Sequence, residues 1–238
     1  MNNNIYPPQF SYDHYSSSVD TMVMSAMKRV YLKMTLALIV TGLVAWFCAG
    51  SPAYWQFMAA NRWAMWGLII AEFGLVIGIS AGIQKMASST ASLLFYLFAV
   101  VNGLMLSSIF VAYTGDSIAL TFFITAGTFA AMSVYGYFTN RDLTKMGSIL
   151  FMALIGLIIA SLVNIFLKSP AMTWIISFVG VLIFVGLTAW DTQSIKKMAA
   201  VMPSDQVGRL ATLGALTLYL DFINLFLYLL RFFGSSRD

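Results

Sequence analysis

Charged side chains are scarce in this sequence: Asp, Glu, Lys and Arg make up 9% of the 238 residues, whereas soluble domains carry about 25%. Hydrophobic residues account for 60%, and the mean hydropathy is +0.85. There are too few charged residues to form the surface of a soluble protein with this many apolar residues. Lipid is therefore the expected solvent around the protein. The net charge of +4 is small and forms no basic patch of the kind that binds nucleic acid. Nucleic acid is therefore not an expected partner.

Cysteine and histidine are almost absent, with one of each, Cys48 and His14. A single cysteine excludes an internal disulfide, and neither residue type recurs at the spacing of a metal centre. A rhomboid-type serine protease needs a histidine inside the membrane as its base. An intramembrane aspartyl protease needs a Gly-x-Gly-Asp sequence, whereas the aspartate here follows Leu218, Tyr219 and Leu220. The protein is therefore not expected to be an enzyme.

Long hydrophobic stretches fill most of the chain and are separated by short polar breaks. A stretch of about 18 residues or more crosses the roughly 30 Å hydrocarbon layer as a helix. We predict seven such helices, at residues 34–50, 63–84, 91–113, 117–138, 147–167, 171–194 and 210–230. No break is long enough to hold a separate domain. The predicted fold is all-α: a polytopic membrane protein whose residues 27–238 form one domain of seven transmembrane helices.

Residues 1–26 lack the apolar core of a signal peptide and are predicted to be a mobile cytoplasmic tail. With seven spans, nine of the thirteen Lys and Arg residues fall on the side of this tail. The positive-inside rule then places the N-terminus in the cytoplasm and the C-terminus outside. A re-entrant last segment would instead return the C-terminus to the cytoplasm. The expected location is the inner or plasma membrane.

Segment seven is the least suited to lipid among the predicted spans. It carries the polar residues Thr212, Thr217, Tyr219, Asp221 and Asn224. Polar groups inside a bilayer face the interior of the bundle, where other helices supply partners. The last helix is therefore predicted to lie at the centre of the bundle.

Segment two has a glycine at every fourth position, at Gly74, Gly78 and Gly82. One face of this helix is therefore bare of side chains, which allows a neighbouring helix to approach closely. We predict that this face packs against another helix. A hinge role is the alternative that the spacing leaves open.

Three acidic residues, Glu72, Asp191 and Asp221, lie within predicted spans. A carboxylate in hydrocarbon is costly unless it is paired, solvated or neutralised, so these three are functional candidates. Glu72 and Asp221 each lie ten residues from an arginine at a helix end, about 15 Å deep at the rise of an α-helix. Asp191 precedes Lys196 by five residues, which places it about 7 Å from the interface. At these depths the two aspartates meet only if segment seven is tilted or starts deeper than Leu210.

Three segments of the sequence resemble the Bax inhibitor-1 family, the transmembrane Bax inhibitor motif proteins. The stretch Gly214–Gly234, GALTLYLDFINLFLYLLRFFG, is similar to the closing signature of that family. Gly186–Lys196, GLTAWDTQSIK, resembles its sixth segment, and Tyr135–Leu143, YGYFTNRDL, matches the turn after its fourth. The form is that of a bacterial member.

This resemblance implies a seven-helix fold with a central last helix and a pH-sensitive calcium leak across the membrane. It implies that Asp191 and Asp221 are the paired aspartates that sense pH and gate the leak, and that Glu72 faces the cation pathway. In one branch of the family a basic residue at the cytoplasmic end of segment two latches the aspartate of segment six. This chain has no arginine there, and Lys85 is the candidate latch. Calcium is then the permeant ion, and no resident cofactor is expected.

The residues themselves indicate a mechanism of the same kind. Two carboxyl groups close together in a low dielectric titrate as a coupled pair and can share one proton. Asp191 and Asp221 are therefore expected to form a proton-sensitive plug between segments six and seven. Carboxylate oxygens from three helices also suit a hard cation, so Asp191, Asp221 and Glu72 are candidate ligands for transiently bound calcium.

Two other functions remain open at this stage. The first is a modulator of a membrane protease in membrane-protein quality control, which acts by protein–protein contact and depends on the tail and loops. The second is a proton-coupled exchanger that uses the same carboxylates. The expected partners are the lipid bilayer, calcium ions and, for the first alternative, a membrane protease.

Overall fold

The structure, a computed structural model, describes residues 10–235. These residues form nine α-helices and one short 3-10 helix, Ser204–Gln206, and the described range contains no β-sheet. The helices are α1 Phe10–Ala49, α2 Pro52–Ala60, α3 Ala64–Gly82, α4 Ser88–Leu106, α5 Ile109–Ala112, α6 Gly115–Phe138, α7 Thr144–Leu167, α8 Pro170–Val201 and α9 Val207–Phe233.

Seven segments are long and apolar enough to cross a membrane: α1, α3, α4 with α5, α6, α7, α8 and α9. The all-α fold with seven spans is confirmed. The last span is one continuous helix of 27 residues, about 40 Å long. It is therefore long enough to cross the whole hydrocarbon layer, and as one continuous helix it is not a re-entrant hairpin.

Helix α9 lies inside the bundle. In its most apolar 18-residue stretch 67% of the residues are buried, against 6% to 39% for the other six spans. It packs against α8, α1, α6 and α4. Because these helices surround it, the polar side chains of α9 are kept away from lipid, as its composition requires.

Helix α1 begins much earlier than predicted. Its apolar residues recur every three or four positions well before residue 34, so that one face reaches the core. Val23 and Ala26, which belong to the predicted tail 1–26, are 5% and 0% exposed. The neighbouring polar residues Asp20, Thr21 and Ser25 lower the average hydropathy, so a span prediction does not detect this face. Residues 1–9 of the predicted tail lie outside the described range.

Serine and threonine residues set the starts of several spans. Ser169 accepts a hydrogen bond from the backbone N–H of Met172, and Pro170 occupies the first turn of α8. Lys168 closes α7 with a φ of 50°, a left-handed conformation that commonly ends a helix. The connection between α7 and α8 is therefore a tight turn, and the two helices pack antiparallel.

Glycines on α6 and α7 bring these two helices close to α8. Gly136 of α6 lies against the backbone of Ala189, and Gly147 of α7 lies under the ring of Trp190. The predicted glycine face of α3 is different, because a Cβ at Gly74 or Gly78 would meet no atom within 4 Å. The prediction that these two glycines pack within the chain is wrong: close approach occurs around α8 instead.

The contact at Gly136 leads to a stability prediction. Gly136→Ala places a methyl group against the backbone of Ala189, and overpacking of this kind costs about 1–3 kcal/mol. We expect a lower thermal unfolding midpoint in detergent. Gly127→Ala on the same helix is the control, because its Cβ meets nothing within 4 Å. An equal loss in both variants would contradict the close contact between α6 and α8.

The early start of α1 gives a second prediction. Val23→Ala removes two buried methyl groups from the core, and we expect a loss of about 1–2 kcal/mol in unfolding free energy. Met24→Ala on the same turn is the control, because Met24 is 64% exposed. The measurement is again thermal unfolding in detergent. Similar midpoints for Val23→Ala and the unmodified protein would mean that this part of α1 does not belong to the folded core.

Candidate functional site

Asp191 and Asp221 are placed by the packing of α8 against α9. The two helices run antiparallel: Ile195 meets Gly214 near one end of the interface, and Gly180 meets the ring of Tyr228 near the other. Glycine at these positions leaves room for the large partner, so the helices approach along their full length. The two aspartates lie between these contacts, on the facing sides of the two helices.

The structure places the carboxyl groups of Asp191 and Asp221 next to each other. Asp221 is 4% exposed, and its Oδ2 has no other hydrogen-bond donor among the described residues. Asp191 is partly buried. Two carboxyl groups make a hydrogen bond to each other only if at least one of them carries a proton. At this proximity the two carboxyl groups can share one proton.

The depth of Asp191 differs from the sequence estimate. Helix α8 continues for ten residues beyond Asp191, so the aspartate lies about 15 Å from the end of the helix. Lys196 is not at this end of α8, and its Nζ donates to the carbonyl of Tyr137, near the end of α6, at 2.7 Å. Long basic side chains carry their charge to the interface in this way. The two aspartates therefore need only a small offset to meet.

The expected latch is not assembled in this structure. Lys85 is exposed, on the turn after α3. Among the described residues the ion pair is the one between Lys197 and Asp142, with 2.6 Å between Nζ and Oδ1. No lysine or arginine of the described range forms an ion pair with either aspartate.

Glu72 belongs to a different polar cluster, which links α3, α4, α9 and α1. Its Oε1 accepts a hydrogen bond from Nδ2 of Asn102. The hydroxyl of Tyr219 donates to Oδ1 of Asn102 at 3.0 Å and also lies 2.6 Å from Oγ1 of Thr41. Thr41 in turn donates to the carbonyl of Ala99 at 2.9 Å.

The two clusters occupy different sides of α9. Tyr219 and Asp221 are two positions apart, which is about 200° around a helix. The structure thus does not bring Glu72 together with Asp191 and Asp221. Among the side chains that the structure describes, no group of three from His, Cys, Asp or Glu is arranged to hold a metal ion. The expected calcium site of all three acids is not assembled in this conformation.

A third polar cluster was missed by the sequence analysis. Lys33, which the span prediction placed in the loop before segment one, lies within α1 and is partly buried. Its Nζ donates to Oγ of Ser92 and to Oγ1 of Thr212, each at 2.6 Å. The signal for this cluster was the cation inside an amphipathic helix. This signal is recognisable only if α1 begins before Lys33, whereas the predicted span begins at residue 34.

Comparison with known proteins places these sites in a family. Residues 23–238 match the family described as inhibitor of apoptosis-promoting Bax1. The inner membrane protein YbhL of Escherichia coli K12 is 52% identical over 214 residues, which cover 89% of this chain and 92% of the relative. An uncharacterized protein of Rickettsia prowazekii, RP147, is 48% identical over 215 residues, 89% of this chain and 90% of the relative. An uncharacterized protein of Borreliella burgdorferi is 47% identical over 212 residues, covering 88% and 91%.

The family match covers all seven spans, both aspartates and Glu72. The relatives are matched over nearly their whole length by a chain that also carries the three signature segments found in the sequence. The chain belongs to the Bax inhibitor-1 family.

Proposed function

We propose that this protein is a pH-sensitive leak for calcium and similar cations, gated by the paired aspartates Asp191 and Asp221. The observation that supports this most is the contact between their carboxyl groups at the interface of α8 and α9. The pair joins the central helix α9 to α8. A change in the number of protons on the pair therefore changes the attraction between these two helices. Glu72 serves the cation pathway in this proposal.

Electrostatics sets the direction of the response. While the proton is shared, the two carboxyl groups attract and fasten α8 to α9. Loss of this proton leaves two negative charges in contact in a medium of low dielectric, where they repel strongly. The helices then separate at the level of the aspartates. The leak is therefore low at acidic pH and increases as the pH is raised.

The proposal includes a location in a bacterial inner membrane with the N-terminus in the cytoplasm. The relative from Escherichia coli is named an inner membrane protein. The turns that follow α3, α6 and α8 lie at one end of the bundle with the start of α1, and this end carries most of the Lys and Arg residues. The positive-inside rule assigns that end to the cytoplasm.

Asp221→Asn tests the gate. An asparagine amide donates a hydrogen bond to the Asp191 carboxylate at any pH, so we expect a leak that is low and independent of pH. Asp191→Asn should do the same. The measurement is calcium entry into vesicles that contain the purified protein, from pH 5 to pH 8, with a fluorescent calcium indicator inside. A leak that keeps its pH dependence in both variants would rule out gating by this pair.

Asp142→Asn is the matched control. Asp142 lies on an exposed loop, where hydrogen bonds from Lys197 and Thr144 lower the pKa of its carboxyl group to about 2. This carboxylate stays charged at every pH above that value and loses its ion pair only as the pH falls towards 2. The Asp142→Asn variant should therefore keep the pH profile of the unmodified protein. If neither the unmodified protein nor any variant conducts cations, the leak is ruled out and the protease modulator is the remaining candidate.

A further inference from the structure

A seam of polar side chains runs along the parallel helices α1, α4 and α9, on the side of α9 that faces away from Asp191. It has two layers. The first layer is Lys33, Ser92 and Thr212. The second layer is Thr41, Asn102 and Tyr219, with Glu72 bound to Asn102. Thr212 and Tyr219, the two residues of the seam on α9, are seven positions apart. They therefore lie on the same face of the helix, two turns or about 10 Å from each other.

Apolar side chains separate the two layers. Phe95 and Leu216 lie between them on α4 and α9 and are 0% and 2% exposed. The ring of Phe95 lies edge-on to the ring of Tyr219, with 5.8 Å between centroids. The seam therefore consists of a polar layer near mid-depth, an apolar constriction, and a second polar layer near the ends of α4 and α9. Polar layers separated by an apolar constriction are a common construction of ion pathways.

The layer near the helix ends already holds a cation, which is the ammonium of Lys33. Ser92 lies four residues from the start of α4, and Thr212 five residues from the start of α9, so this layer is about 6–8 Å inside the bundle. Both hydroxyls accept from the ammonium, and both donate to backbone carbonyls of their own helices, of Ser88 and Gly208. No carboxylate from residues 19–235 pairs with this lysine.

The chemistry of this layer is that of a cation site. Hydroxyl and carbonyl oxygens replace the hydration shell of a cation in proteins. A lysine whose only role is to fasten helices has a more favourable partner in a carboxylate, and an uncharged residue fills the same space at lower cost. A positive charge held by neutral oxygens at the narrow end of a polar seam repels any other cation that enters it.

We propose that the α1–α4–α9 seam is the cation pathway and that the ammonium of Lys33 is a tethered plug that occupies its end. The proposal rests on the proposed cation leak and names the route and the barrier of that leak. The paired aspartates lie outside the seam. They act on it through α9, whose movement changes the distance between Lys33 and Thr212.

The test replaces Lys33 by cysteine and then restores the charge. In a Cys48→Ala background, Lys33→Cys is expected to raise calcium entry into vesicles by roughly tenfold at a fixed pH, which corresponds to a barrier lower by about 1.4 kcal/mol. Treatment with 2-aminoethyl methanethiosulfonate forms a mixed disulfide that ends in an ammonium and releases methanesulfinate. This treatment should return the flux to the original level. The negatively charged 2-sulfonatoethyl reagent should not reduce it.

Lys28→Cys is the matched control, because Lys28 is an exposed lysine on the same helix and should give an unchanged flux. Entry of an uncharged sugar and the thermal unfolding midpoint are measured for each variant. A general loss of structure raises sugar entry, whereas removal of a plug raises only cation entry. Unchanged calcium entry in Lys33→Cys, or an increase that the ammonium reagent does not reverse, overturns the plug.

The experiment also separates this proposal from the gate. If Lys33→Cys conducts and is blocked again by the ammonium reagent while Asp221→Asn keeps its pH dependence, the pathway stands and the gate fails. If Asp221→Asn alters the pH profile while Lys33→Cys has no effect, the gate stands and the plug fails. If no variant admits calcium, both proposals fail.

Discussion

A polar group inside a bilayer must find its partner within the protein, and this constraint explains why α9 is at the centre. Lipid offers no hydrogen bond to Asp221, Tyr219 or Thr212, so each of them needs a helix opposite it. Asp221 is met by α8, whereas Tyr219 and Thr212 are met by α1 and α4. Because these residues point to different sides, α9 must be surrounded. The burial of 67% of its apolar stretch is the result.

The same helix therefore holds two polar sites that do not touch. The aspartate pair is at the α8 interface, and the seam with Glu72 and Lys33 is on the other side. A displacement or rotation of α9 changes both sites at once, since an α-helix moves as a rigid element at this scale. Proton sensing and cation passage need not share a cavity in such an arrangement.

The number of spans, the central position of the last helix and the identity of two intramembrane aspartates follow from simple sequence properties. Long apolar stretches and misplaced charges are strong signals because lipid tolerates few exceptions. The contact between Asp191 and Asp221 does not follow from sequence alone, because the depth estimated from Lys196 differs from that of Asp221. In the structure α8 continues for ten residues beyond Asp191, and Lys196 binds the carbonyl of Tyr137.

Features that depend on tertiary contacts could not be predicted from the sequence. The face of α1 that carries Val23 is interrupted by polar residues, so its hydropathy does not reveal that it packs in the core. Spacing alone also could not show that Gly74 and Gly78 face open space while Gly136 meets a backbone. Glycine permits close approach, but only the positions of other helices decide whether that approach happens.

The place of α9 in chain order bears on how the protein is made. The other six spans are synthesised first, and until α9 enters the membrane Lys33 and Asp191 lack the partners that α9 supplies. Before α9 is inserted, the other spans must therefore be loosely packed, so that α9 can enter between them. The central helix of this bundle thus enters the membrane after the helices that pack around it, so the packed core forms only once α9 is in place.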